Sequence, residues 1–190
     1  MAEPLFQQLQ KLQEEFRGHP PVDKWNPDFC GDMDMVIQSD GRWIHEGSEI
    51  KRQPLVNLFA SILKREGRHY YLVTPVEKWR IRVEDVPFLI TQAAREEGDA
   101  NGCGQVLLTT NTGDVIPLDK AHPLELKPFG DPPLPIPYVA VRSGLLGRMS
   151  RDVYYQLIDW AEAREPQAPP ARLCQLWLKS AGEEFLLGEY

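Results

Sequence analysis

Lys78, Arg80 and Arg82 alternate with Trp79, Ile81 and Val83. A strand through them presents three cations on one face and three apolar groups on the other. In a chain of 190 residues with a formal net charge of −7, such a row marks a place for an anionic partner. Arginine grips phosphate oxygens two at a time, and a neighbouring Trp or Tyr can stack a flat ring. The competing reading is a solvated strand face whose cations pair with nearby carboxylates. Just ahead of the row, Thr74-Pro75-Val76-Glu77 is turn-like and brings a hydroxyl and a carboxylate close to the Lys78 ammonium. Such turns hold polar groups at fixed positions, which suits ligand recognition.

Other constellations carry less chemistry. His45-Glu46-Gly47 lacks the second histidine that a zinc protease needs one helical turn later, because position 49 is Glu. His19, His69 and His122 could join it only through space, so His45 reads as a structural or ligand-orienting histidine beside a hairpin. Asp34 with Glu84-Asp85 could serve acid–base work or a divalent cation, although acids at the end of a basic strand more often serve turns and ion pairs. Arg142 lies on a strand leading to a Ser143-Gly144 turn and could meet the first half of the chain across an interface. Neither GxSxG, GxGxxG nor GxxxxGK[ST] occurs. No catalytic residue and no metal ligand set is therefore assigned, and the cofactor is left unknown. Cys30, Cys103 and Cys174 are scattered and odd in number, which reads as buried free thiols of a reducing compartment.

The elements that must position these groups follow from periodicity. Leu5, Phe6, Leu9, Leu12 and Phe16 give residues 4–17 an amphipathic helical stripe, ended by Gly18 and by Pro20-Pro21. Met33, Met35 and Ile37 alternate up to an Asp40-Gly41 turn with positive φ angles, and Trp43-Ile44-His45 returns. Pro54 opens a helix whose stripe is Leu55, Leu58, Phe59, Ile62 and Leu63, running to Gly67. Tyr70–Val73 and Trp79–Val83 form the next hairpin. The same order recurs later. Tyr138–Val141 turns at Ser143-Gly144, Ser150 caps a helix built on Val153, Leu157 and Ile158, and Leu173–Leu178 pairs with Phe185–Leu187 across Ser180-Ala181-Gly182. Between the copies, Gln92–Gly104 reads as a polar linker. Gln105–Thr109 and Val115-Ile116 form another hairpin, and prolines crowding positions 117 to 137 favour edge strands. The expected fold is α+β: two related hairpin–helix–hairpin units on antiparallel sheets. The segments are 1–22 (helix and linker), 23–90 and 91–190.

Several strings also resemble a known family. They are Asp34-Met35, Asp40-Gly41, His45-Glu46-Gly47, Tyr70-Tyr71-Leu72-Val73-Thr74-Pro75-Val76-Glu77-Lys78 and Val83-Glu84-Asp85-Val86-Pro87-Phe88. In the second half they continue with Thr110-Asn111, His122-Pro123-Leu124, Pro137-Tyr138-Val139 and Arg151-Asp152-Val153-Tyr154-Tyr155. Together they resemble the proteobacterial family known as domain of unknown function 1285. The resemblance implies a duplicated two-domain core and a C-terminal half akin to pleckstrin-homology-like folds. It also implies a nucleotide-like ligand at the domain interface and a role in signalling. Ser48-Glu49 departs from the small residue or proline expected at that turn.

Composition narrows the classes. Hydrophobic residues at 42% support a packed core. No apolar run approaches the ~20 residues of a membrane span, and no secretory signal is read at the start, which points to the cytoplasm. The negative charge argues against nucleic acid and anionic membrane as partners. The leading expectation is a non-catalytic ligand-binding or regulatory module for an anionic, nucleotide-like small molecule. It would bind between the two halves, where Lys78, Arg80 and Arg142 would take its charge and His45, Thr74 and Glu77 would orient it. Two alternatives stay open: a hydrolase of a phosphorylated substrate using Asp34, His45 and Glu46, and a protein-interaction adaptor or homo-oligomer using sheet edges or the first helix.

Overall fold

The structure is a computed structural model that describes residues 18–98, 104–165 and 173–190. The helix expected over 4–17, Cys103, and the proline loop at Pro166, Pro169 and Pro170 lie outside the described residues. The chain divides into two compact units between Pro87 and Phe88. Each is α+β. Among the described residues no helix is long and apolar enough to cross a membrane.

The first unit begins with a 3-10 turn at Val22–Lys24 and a long strand β1 (Phe29–Ile37), followed by β2 (Trp43–His45) and β3 (Ser48–Glu49). Gly41, at φ 87°, supplies the left-handed step of the β1–β2 turn, and Asp40 keeps a negative φ while its carboxylate accepts from the Arg42 amide at 3.1 Å. Glu46 and Gly47 are both left-handed, at φ 47° and 73°, which is the twist-matched two-residue connection between antiparallel strands. Helix α1 (Gln53–Ser61) follows, with Pro54 in its first turn where no N–H is needed. It stops well before Gly67. Leu63–Glu66 is strand β4, paired with β5 (His69–Val73), so Leu63 is buried as a strand residue, while buried Ile62 is the C-cap of α1. Strand β6 (Lys78–Val83) completes the sheet, whose order is β3-β2-β1-β6-β5-β4. Its core holds Met35, Ile37, Trp43, Phe59, Leu72 and Ile81, with the Trp43 and Phe59 rings stacked 6.2 Å apart.

The second unit opens with β7 (Phe88–Glu96). Gln92–Glu96, expected to be linker, is therefore strand: it pairs with β8 (Gln105–Thr110), which turns into β9 (Val115–Pro117). Polar residues suffice there because the cross-strand ladder is satisfied while much of the strand faces water. Strands β10 (Leu124–Phe129), β11 (Leu134–Arg142) and β12 (Leu145–Met149) give the order β10-β11-β12-β7-β8-β9. The prolines sit where this order allows them. Pro128 is on edge strand β10, and Pro135 and Pro137 occupy the part of β11 that pairs only with β10, before β12 joins at Tyr138. Helix α2 (Arg151–Trp160) starts on Ser150, whose hydroxyl accepts from the Val153 amide, and buries Val153 and Leu157. Strands β13 (Glu162–Arg164), β14 (Gln175–Ser180) and β15 (Glu183–Glu189) form a separate three-stranded sheet.

Further expectations need correction. Cys30 is exposed and Cys174 half-buried, because Cys30 lies on the exposed start of β1 and Cys174 just ahead of β14, so these thiols are not core residues. The six-stranded sheets are mixed, not purely antiparallel, because β1 runs parallel to β6 and β12 parallel to β7. The hairpin–helix–hairpin order read from the sequence does recur along the chain, as β1–β2, α1, β5–β6 and β11–β12, α2, β14–β15, but the sheets are not assembled from those units. Renumbered from its own first strand, the second six-stranded sheet has the same strand order as the first. The helix falls between the third and fourth strands in one unit and after the sixth in the other. Hairpin β14–β15 does not enter the second six-stranded sheet.

Candidate functional site

Within the first unit, the register aligns Tyr71 with Arg80 and Val73 with Lys78. One face of β4, β5 and β6 thus gathers Lys64, Glu66, His69, Tyr71, Lys78, Arg80 and Arg82. Between Lys64 and Arg82 the sequence holds six Lys or Arg against two Glu, so this face is locally cationic in an acidic chain.

The cations are not equivalent. Lys78 is ion-paired to Glu66 and lies 4.6 Å from the centre of the Tyr71 ring. Lys64 reaches the same carboxylate at 3.4 Å. The hydrogen bond from Lys78, then that from Lys64, holds the Glu66 carboxyl below the ordinary carboxylate range. Arg80 is gripped from β1: its Nε donates to Asp32 Oδ1 at 2.5 Å and its Nη2 to Oδ2 at 2.7 Å. The hydrogen bond from Arg80 lowers the Asp32 pKa. Arg82 and Arg68 are different. Both are exposed, and among the described residues neither makes a hydrogen bond or ion pair.

Arg68 and Arg82 meet at a groove of about 380 Å³ lined by Asp32 and Met33 of β1, Arg68, His69 and Tyr70, and Arg80 to Val83 of β6. Its origin is a mismatch in pairing. From Asp32 to Val36 β1 advances four residues, while β6 advances two from Arg80 to Arg82. The extra residues bulge, the ladder opens, and side chains on the two strands splay around the gap. Gly67, at φ 61°, turns the chain so that Arg68 enters from the β4–β5 connection.

The residues singled out in the sequence are placed as follows. Five lie in the first unit and Arg142 in the second. His45 Nδ1 is bonded to the main-chain oxygen of Asp34 at 2.9 Å, holding β2 against β1. Thr74 is fully buried and its Oγ1 accepts from the Glu77 amide at 3.0 Å, closing the β5–β6 turn. Replacing it by valine keeps the shape and removes that acceptor, with an expected cost of about 1–2 kcal/mol in chemical denaturation. Glu77 Oε2 lies 3.5 Å from the Trp79 indole nitrogen, which donates to it. Only Arg80 of the six lines the groove. Arg142 bonds Asp114 at 2.7 Å and lies 4.8 Å from the Phe88 ring centre. Sequence reasoning missed Asp32, Arg68 and the role of His69. The one available signal was strand pairing: counting back from Tyr71 opposite Arg80 puts His69 opposite Arg82.

Comparison with known proteins adds kinship but no chemistry. The N-terminal domain described as "Domain of unknown function (DUF1285)" matches residues 20–86, and the matching C-terminal domain covers residues 87–187. No curated protein matches. The crystal structure of a DUF1285 family protein from Silicibacter pomeroyi DSS-3 is 35% identical, with a TM-score of 0.84 over 100% of this chain and 97% of that one. One from Shewanella baltica OS155 is 28% identical, with a TM-score of 0.52 over 67% of this chain and 91% of that one. With both domains matched end to end, the chain belongs to the DUF1285 family.

Proposed function

We propose that this protein is a non-catalytic, cytoplasmic regulatory module that binds an anionic small molecule in the groove between β1 and β6 of its first unit. The observation that carries this reading is the pair Arg68 and Arg82, two exposed guanidinium groups without a partner among the described residues, at a concave site in an acidic chain. Both line the same groove, so one anion bound there meets cationic donors from two elements. Arginine's planar fork suits a phosphate or carboxylate. The shared strand order of the two six-stranded sheets supports reading the units as copies of one pattern.

The test is thermal unfolding of the full chain with millimolar pyrophosphate. Binding to the folded state stabilises it by about 2.7 kcal/mol at a hundredfold excess over Kd, so Tm rises by several degrees at low salt. The double variant Arg68→Gln/Arg82→Gln is expected to lose the whole shift while melting normally without ligand. An equal shift in the variant would remove the groove from consideration.

A further inference from the structure

We infer that Asp32 is a specificity-determining residue of this groove, and that it selects ligands bearing a hydroxyl or amino group beside the anionic group, such as phosphorylated polyols, over bare anions. The inference rests on the anion-binding reading above and deepens it.

Asp32 is the one acid lining the groove, and it is 64% exposed, so its carboxylate is presented to whatever enters. Arg80 uses both carboxylate oxygens, one hydrogen bond to each. A carboxylate offers about four lone-pair sites, so each oxygen keeps one for a second donor. No other donor reaches them among the described residues. Arg80 also retains N–H groups, since two of its five are engaged by Asp32. The pair therefore presents an acceptor and a donor side by side, with Arg68 and Arg82 beyond.

A ligand with both features satisfies every one of these groups. Its phosphate takes the free guanidinium hydrogens, and a neighbouring hydroxyl or amine donates to Asp32. A bare anion meets the same arginines and still binds, but more weakly, because the carboxylate repels it and receives no donor from it. Charged acceptors form the stronger class of hydrogen bond, so a hydroxyl or amine donating to Asp32 adds a contact that a bare anion lacks. Discrimination by such groups arises as much from rejecting the analogue that lacks the donor as from holding the right one.

The test compares ribose 5-phosphate with methyl phosphate, which shares the phosphate monoester but has no hydroxyl, by calorimetric titration of the full chain. Wild type is expected to bind ribose 5-phosphate about tenfold more tightly. Asp32→Asn is expected to tighten methyl phosphate severalfold, to leave ribose 5-phosphate unimproved or weaker, and so to bring the ratio close to one. Because Asp32 is exposed, the variant should melt as wild type does, which a thermal scan checks. Equal binding of both probes by wild type, or a ratio unchanged in Asp32→Asn, overturns the role of Asp32 and leaves the groove standing. Binding of neither probe, with Arg68→Gln/Arg82→Gln indistinguishable from wild type, removes the groove itself.

Discussion

Asp114→Ala is expected to destabilise the second unit by about 2–4 kcal/mol, read as lost hydrogen-exchange protection of the β11 and β12 amides. The Arg142 side chain it pairs with is only 18% exposed and lies against the Phe88 ring. Burial pushes the guanidinium pKa below its ordinary value, and Asp114 works against that push. Without the carboxylate, a largely buried cation loses its ion-pair partner. The cluster loses further order, because Asp114 Oδ2 also accepts from the Thr112 hydroxyl at 3.3 Å. Arg142→Met in the same background removes the stranded charge and should recover much of the loss, giving a coupling above about 1 kcal/mol in a double-mutant cycle. A cost below about 0.5 kcal/mol for Asp114→Ala would show instead that solvent screens the pair. The prediction bears on function as well. Arg142 is an attractive ligand contact on sequence grounds, but a variant there that loses binding would report a damaged unit rather than a missing contact.

What the sequence could show was set by the range of the interactions. Turns and caps are local, so Gly41, Gly144 and Ser150 could be read directly from residue type. Strand existence was also local, since Met33 to Ile37 and Lys78 to Val83 alternate along their own length. Pairing is not. Nothing within β6 reveals that its neighbour β1 runs parallel to it or that β1 carries extra residues opposite Arg80 to Arg82, and the groove exists because of those two facts. Arg68 was therefore invisible as a site residue: in sequence it is one polar residue after a glycine. The helix that stops at Ser61 shows the complementary failure. Leu63 fits a helical stripe and is buried as such a stripe demands, but it lies on β4, paired with β5. Periodicity reports that a residue is wanted inside, not which element carries it in.

Ser180 is the sharpest instance, and its replacement by alanine carries the second large expected effect. From sequence it is the first residue of a turn. In the folded second unit it is 1% exposed, and its hydroxyl joins two separate parts of the sheet framework. It donates to the Leu118 carbonyl at 2.5 Å and accepts from the Val106 amide at 2.8 Å. Val106 and Leu118 are themselves fully buried. The adjoining Ala181 amide donates to the Gly104 carbonyl at 3.0 Å, so the β14–β15 turn is fastened to the start of β8 at successive residues. Alanine fits the space but leaves one main-chain donor and one acceptor without this partner, each costing about 1–3 kcal/mol when buried. The expected loss is about 2–4 kcal/mol, with exchange protection falling first in β14 and β15, because the removed bonds tie that sheet to the rest of its unit. A loss spread evenly over β7 to β12, or one below about 0.5 kcal/mol, would mean that apolar packing of Leu178, Phe185 and Leu187 fastens the small sheet without the hydroxyl.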